Sequence, residues 1–418
     1  MNTLKIKKIY NSIFINPFFL YAIVWSIIVL ANFLNFNTIY PVIPIDLIIF
    51  FIFFIIISIC LGIYVKKKYL NQMYYRISNT KPMYLANLSL LLIFVAESLY
   101  SGFIPLFSIL FKGDTATYQN FGIPQLTYLV SLFSFGLNMV NATKLFSCKK
   151  SEIIGNVFCS LIPLFRLLLL YSRGAILFCL IPFVLMFFAR MKLNFKRVVL
   201  FFAIVIVFAL GFNAFGNIRH GYSWNDSSYI IELSGFNEKY RFLDNFSWSI
   251  TYISSSVGNL SYNYVNVPSE KNFIGLIAML IPDVFSKRLF PEFNRTIIYP
   301  QPQLVTSTMY AGGYKYFGLF GIIIQYIELC VVILLCLRLT KKRKITLFST
   351  LLTTSMMALF SFFDNMVYFS GYSIFVVGFI FYAIFSRKRD VDLRIMISKI
   401  VSNNLDNRSL ISSKIKER

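Results

Sequence analysis

Hydrophobic runs of about 20 residues recur along most of this chain, and each is long enough to cross a hydrocarbon core of ~30 Å as a helix. Of the 418 residues, 57% are hydrophobic and 14% charged, whereas a water-soluble domain has an apolar share of roughly 45–50%. That excludes an ordinary cytosolic enzyme and predicts an all-α, polytopic integral membrane protein. Ten spans are drawn, at 14–34, 44–65, 84–105, 124–146, 153–171, 174–189, 198–215, 316–337, 345–363 and 366–386. Only Ser172 and Arg173 separate the fifth from the sixth, so these two form a tight helical hairpin. The first run follows Lys5, Lys7 and Lys8 and continues to Leu34 without a small-residue cleavage site, which reads as a retained first helix.

Forty Lys+Arg against 17 Asp+Glu give a formal charge of +23. In a soluble protein that excess suggests nucleic acid, but here the positions of the charges carry the information and no nucleic-acid partner is implied. Most of the basic residues cluster at 5–8, 66–81, 144–150, 190–197, 338–344 and 387–418, which are the two termini and alternate connections. Positive charge marks the inner side, so both termini are expected in the cytoplasm. An eleventh span at 273–285 fails on length and reads instead as a helix in the outer interface, with Lys287 and Arg288 at its polar end. The resulting division is 1–215 with helices one to seven, 216–315 as one large outer loop, periplasmic if the resemblance given below holds, 316–386 with helices eight to ten, and 387–418 as a basic cytoplasmic tail on the anionic leaflet. Six cysteines, at 60, 148, 159, 179, 330 and 336, fall in spans or on the inner side and imply no disulfide framework.

The outer loop is the one extramembrane segment large enough to build a site. From Gly216 to Tyr310 it holds seven basic and seven acidic residues, and a loop of that length and charge density is functional or disordered. Its apolar content argues against disorder. Arg166 lies two turns from the outer end of the fifth span, where an arginine is costly unless it is paired or lines a wet cavity. It is a candidate for substrate binding, and its structural alternative is an ion pair with Glu97 or Glu328. Arg173, in the Ser-Arg-Gly turn, sits where a lipid-linked phosphate would lie, and its planar fork suits phosphate oxygens; the alternative is an interfacial anchor. Arg219 stands at headgroup level beside His220, the sole histidine. One histidine excludes multi-His metal sites, while an imidazole near the membrane surface suits a general base; an incidental loop histidine is the alternative. Glu97, Asp244, Glu232, Asp283 and Glu238 are further acids able to deprotonate a sugar hydroxyl. The first outer loop, NFNTIYPVIP, has no acid, and the only DxD, Asp390 with Asp392, is on the tail, so no metal site is read here. No Walker-type, HExxH or GxSxG motif is present.

Several stretches together resemble the Wzy-type O-antigen polymerases of bacterial inner membranes. They are SGFIPLFSILFKGDTATYQNFGIPQLTYL between the third and fourth spans, LLLLYSRGAIL, FGNIRHGYS, and WSITYISSSVGNLSYN with Trp248, Tyr252, Asn259 and Leu260, which lacks the family's proline. VTSTMYAGGYKYFGLFGII, with Gly318 and Gly321, is similar to the segment that closes the outer loop. The likeness extends over about residues 84–335. It implies a transferase that moves a growing glycan from undecaprenyl pyrophosphate onto a new lipid-linked repeat unit at the periplasmic side, with a chain-length regulator as partner protein. It also implies functional roles for Arg173, Arg219 and Arg241. Arginines stabilise the departing pyrophosphate without metal, no redox or phosphoryl cofactor is needed, and Trp224, Trp248 and Tyr252 offer faces for sugar stacking. A flippase for the same lipid-linked glycan, which predicts inverted repeats and short outer loops, and an O-antigen ligase, which passes the glycan to lipid A core, are the alternatives.

Overall fold

The computed structural model describes residues 7–8, 11–70, 74–75, 81–112, 120–124, 126–192, 194–294, 296–342 and 344–385. The basic tail with Asp390 and Asp392, and also Lys5, Tyr118 and Arg295, lie outside the described residues. The described chain is helical: α1 (Pro17–Phe33), α2 (Ile45–Val65), α3 (Tyr84–Ser101), α4 (Pro105–Lys112), α5 (Leu126–Leu145), α6 (Ile153–Leu169), α7 (Arg173–Arg190), α8 (Phe195–Arg219), α9 (Ser228–Ser234), α10 (Ser247–Asn266), α11 (Phe273–Leu280), α12 (Asp283–Leu289), α13 (Ala311–Thr340), α14 (Lys344–Leu359) and α15 (Ser370–Phe385). A two-residue ladder pairs Lys7–Lys8 with Tyr74–Tyr75. Each of the ten apolar runs corresponds to a helix, and six of these (α2, α3, α6, α8, α13 and α14) are long and apolar enough to cross a membrane. α1, α7 and α15 hold shorter apolar stretches.

Local chemistry sets the helix ends. Asn16 accepts from Phe18 N at 3.2 Å and Pro17 occupies the first helical position, so α1 starts there. The same Asn16 donates to Gly62 O at 2.8 Å, tying the start of α1 to the end of α2. Gly102 closes α3 in the left-handed region, at φ 72°. Between α6 and α7 the chain turns through Tyr171, also left-handed at φ 55°.

The helices share two faces. One, here the basic face, carries Asn16, Lys144, Arg190 and Arg338. The other, the cap face, carries α9–α12, the 170–172 turn and the segment 360–369. α14 is the central helix, 83% buried over its apolar window. Some of its hydroxyls turn back onto its own carbonyls, Thr353 to Ser349 O and Thr354 to Thr350 O at 2.8 Å each.

On the cap face, 216–310 is built mainly of helices. α10 is its backbone, buried along most of its length, and it lacks the apolar run that would announce a helix. Asn37 ties α10 to the α1–α2 connection through Thr251 Oγ1 at 3.2 Å and through Ser254. The expected interfacial helix is two short ones, because Pro282 ends α11 and Asp283 N turns to Tyr368 O at 2.8 Å. Leu276, Ala278 and Met279 of α11 pack in one buried cluster with Tyr316 and Tyr368.

An extended strap, 297–310, then descends into the bundle. Asn259 Nδ2 donates to Leu304 O at 2.8 Å and to Thr306 O at 2.6 Å, and Asn263 exchanges two hydrogen bonds with Ile298. Tyr310 at its end is fully buried, its ring 5.2 Å from Trp25 and 5.7 Å from Phe54, with its hydroxyl on that of Tyr21. Phe54 is nine residues into α2, which places Tyr310 about 13 Å below the cap face. α13 therefore begins deep. It rises to Phe317 and Gly318, where the backbone leaves helical geometry, and reverses. Gly313 N reaches Gln325 Oε1 at 2.9 Å, a contact no straight helix makes over twelve residues. The crossing helix is 319–340, and Ala311–Tyr316 is a re-entrant turn packed against it.

Candidate functional site

The last turns of α8 organise the cap face. Asn213 and Asn217 are four residues apart, so both amides point to one side, and both are buried. Asn213 Oδ1 accepts from Trp248 N at 3.0 Å, and Asn217 Oδ1 accepts from Trp248 Nε1 at 2.8 Å. Their amide groups donate to Ser227 Oγ at 2.9 and 3.2 Å, and Asn217 also to Trp224 O at 3.1 Å. The two side chains thus hold the start of α10 and the 224–228 turn on α8. Asp226 accepts from Ser228 N at 3.0 Å just before α9, and the Ser228 hydrogen bonds hold its carboxyl below the usual carboxylate range.

His220 lies on the framework so fixed. Its ring stacks on Tyr229 at 4.3 Å and on Trp248 at 5.2 Å, each 18° from parallel, while the residue stays exposed. Arg219 beside it is half-buried. One turn along α10, Tyr252 faces Phe363 at 6.1 Å and 11°, and meets Phe212 edge-on at 5.4 Å. Tyr171 packs on Phe215 at 5.3 Å and donates to its carbonyl at 3.4 Å. That contact brings the 170–172 turn, and with it the first residue of α7, Arg173, to the rim that holds Arg219 and His220.

The structure also separates residues that the sequence grouped. Trp248 is 3% exposed and forms the floor of the stack, whereas Trp224 is 67% exposed. Asn259 is fully buried and holds the strap. Arg241 and Asp244 pair at 3.9 Å with both side chains partly exposed, and Arg241 lines an open depression of about 650 Å³ with Glu232, Glu238 and Asn237. Glu97 and Arg166 pair at 3.1 Å, both fully buried below the rim, so of the two acids weighed for Arg166 it is Glu97 that binds it. Glu328 lies elsewhere, beside Asn365.

Asn213, Asn217, Tyr229 and Phe363 were not singled out from sequence. The Asn-x-x-x-Asn spacing at the end of an apolar run is the signal that finds the first two. Among the described residues no group of His, Cys, Asp and Glu has the arrangement of a metal site. No protein-family model, curated protein or solved structure matches the chain.

Proposed function

We propose that this chain is a glycosyltransferase that polymerises undecaprenyl-pyrophosphate-linked oligosaccharide repeat units, an O-antigen polymerase of the Wzy type. In this reading all ten apolar helices span the bacterial inner membrane, the cap face is periplasmic and both termini are cytoplasmic. The reaction is a displacement. An acceptor hydroxyl oxygen forms a bond to the anomeric carbon of the growing glycan, the bond from that carbon to the pyrophosphate breaks, and undecaprenyl pyrophosphate leaves with the electron pair.

The observation that carries the reading is the meeting of Arg219, His220 and a set of aromatic rings on one rim, beside the turn that ends at Arg173. Arginines at this level meet a lipid-linked pyrophosphate where its charge develops. His220 takes the hydroxyl proton. It is exposed and held flat by its neighbours, whereas Glu97 is committed to Arg166 and Asp244 faces Arg241. The exposed indole of Trp224 stacks on a sugar face, and Arg241 with its depression lies where further glycan units pass.

The purified protein in liposomes, supplied with a lipid-linked repeat unit, tests this. Polymers should form, with one undecaprenyl pyrophosphate released per new linkage. Movement of the lipid across the bilayer without polymer indicates a flippase, and transfer only to lipid A core indicates a ligase; either refutes the reading.

A further inference from the structure

We propose that the cap-side third of the bundle holds a cluster of ordered water molecules around Arg166, enclosed by α3, α5, α6, α7 and α15. The register of the helices places the walls. α5 and α6 run antiparallel, and Asn141 Nδ2 of α5 donates to Cys159 O of α6 at 3.0 Å. Seven residues, two turns, toward the cap face on each helix bring Ser134 level with Arg166. On the α7 side, Asn138 Nδ2 donates to Cys179 O at 2.8 Å. Cys179 packs in one buried cluster with Leu167 of α6 and Phe135 of α5, and Phe135 and Phe178 lie 6.1 and 5.9 Å from the Tyr372 ring. Glu97 of α3 closes the ring through its pair with Arg166.

Within this small volume one direct bond, from Arg166 Nη2 to Glu97 Oε2, accounts for the two charged groups. Arg166 Nε and Nη1, Glu97 Oε1, Asn138 Oδ1, Ser134 Oγ and the Tyr372 hydroxyl are all buried with no protein partner. Leaving polar atoms dry is costly, and most of all for a charge inside a membrane. The set mixes donors with acceptors, which is the arrangement that bridging water completes, each molecule taking two to four partners. Buried polar atoms without a protein partner also occur on α14 and at Glu328 and Asn365, but here they gather around an ion pair, whereas Met139 on α5 and Met186 on α7 carry no group that needs a hydrogen bond. Hydration keeps Arg166 charged and lets the Arg166–Glu97 pair exchange partners without passing through a dry, unpaired ion.

Hydroxyl-radical labelling of the full-length protein in lipid nanodiscs, with radicals made from bound water by pulse radiolysis, reads this directly. After division by the intrinsic reactivity of each side chain, which is higher for cysteine and tyrosine than for methionine, Cys179 and Tyr372 should be modified several-fold faster than the equally buried Met139 and Met186. Modification of Cys179 and Tyr372 no faster than the two methionines overturns the proposal, because the polar atoms then pair directly in a dry core. Tyr372→Phe gives a second reading: a hydrated hydroxyl predicts no gain in thermal stability, and a raised unfolding midpoint means that the hydroxyl was dry.

Discussion

Arg219 ends α8 half-buried, next to a histidine whose position is set by Tyr229, Trp248 and the two asparagines, so its removal should disturb chemistry more than packing. Arg219→Ala is expected to slow polymer formation by about 10²–10³, equivalent to roughly 2–4 kcal/mol of transition-state stabilisation, at unchanged protein level. Arg173→Lys keeps the charge but loses the two-pronged donor, so it should be impaired and Arg173→Ala more so, measured as ladder length against membrane-protein abundance. Arg166 behaves differently. Breaking a fully buried pair strands the partner charge, so Arg166→Gln should destabilise by about 3–5 kcal/mol. The double variant Glu97→Gln, Arg166→Gln should recover part of that in thermal unfolding. That Arg166 must be paired or wet was legible in the sequence, where substrate binding came first and an ion pair was the alternative. Which acid was not, because the choice between Glu97 and Glu328 depends on whether α3 or α13 lies beside α6. Asn259 entered only through the resemblance, and both donors of its amide are spent on the strap.

The reversal inside α13 rests on glycine. A Cβ on Gly321 would lie 1.9 Å from Gly313 O, and Gly318 sits at φ 61°. Gly321→Ala should therefore cost about 1–3 kcal/mol as an overpacked contact, read as a lowered unfolding midpoint. Gly211→Ala on α8, where the added methyl meets open space, should be neutral or slightly stabilising. Apolar run length located a helix at each of the ten runs, six of them long and apolar enough to cross a membrane. It did not see α10, whose Ser, Asn and Tyr residues have modest helix propensity and whose burial comes from side-chain hydrogen bonds to the strap and to Asn37. Nor did it see the turn at Phe317–Gly318, since those two residues fall at the start of the run drawn at 316–337 and only contacts between residues eight to twelve apart reveal the fold-back.

The whole molecule is a helical bundle with one face closed by α9–α12 and a strap that dips to mid-depth, and the opposite face rimmed by basic connections. If the cap face is periplasmic, a cysteine at the exposed Asn225 should react with an impermeant maleimide in intact cells, and one at Lys342 only after permeabilisation; the reverse pattern inverts the topology. Function depends on more than orientation, because a flippase or a ligase with the same topology handles the same lipid. The distinguishing readout is the length distribution of surface lipopolysaccharide in a strain lacking this gene, with the wild-type gene returned as control. The polymerase reading expects lipopolysaccharide that carries a single repeat unit, with the long ladder gone and restored on complementation. A ladder of normal length, or loss of every repeat unit, would contradict it.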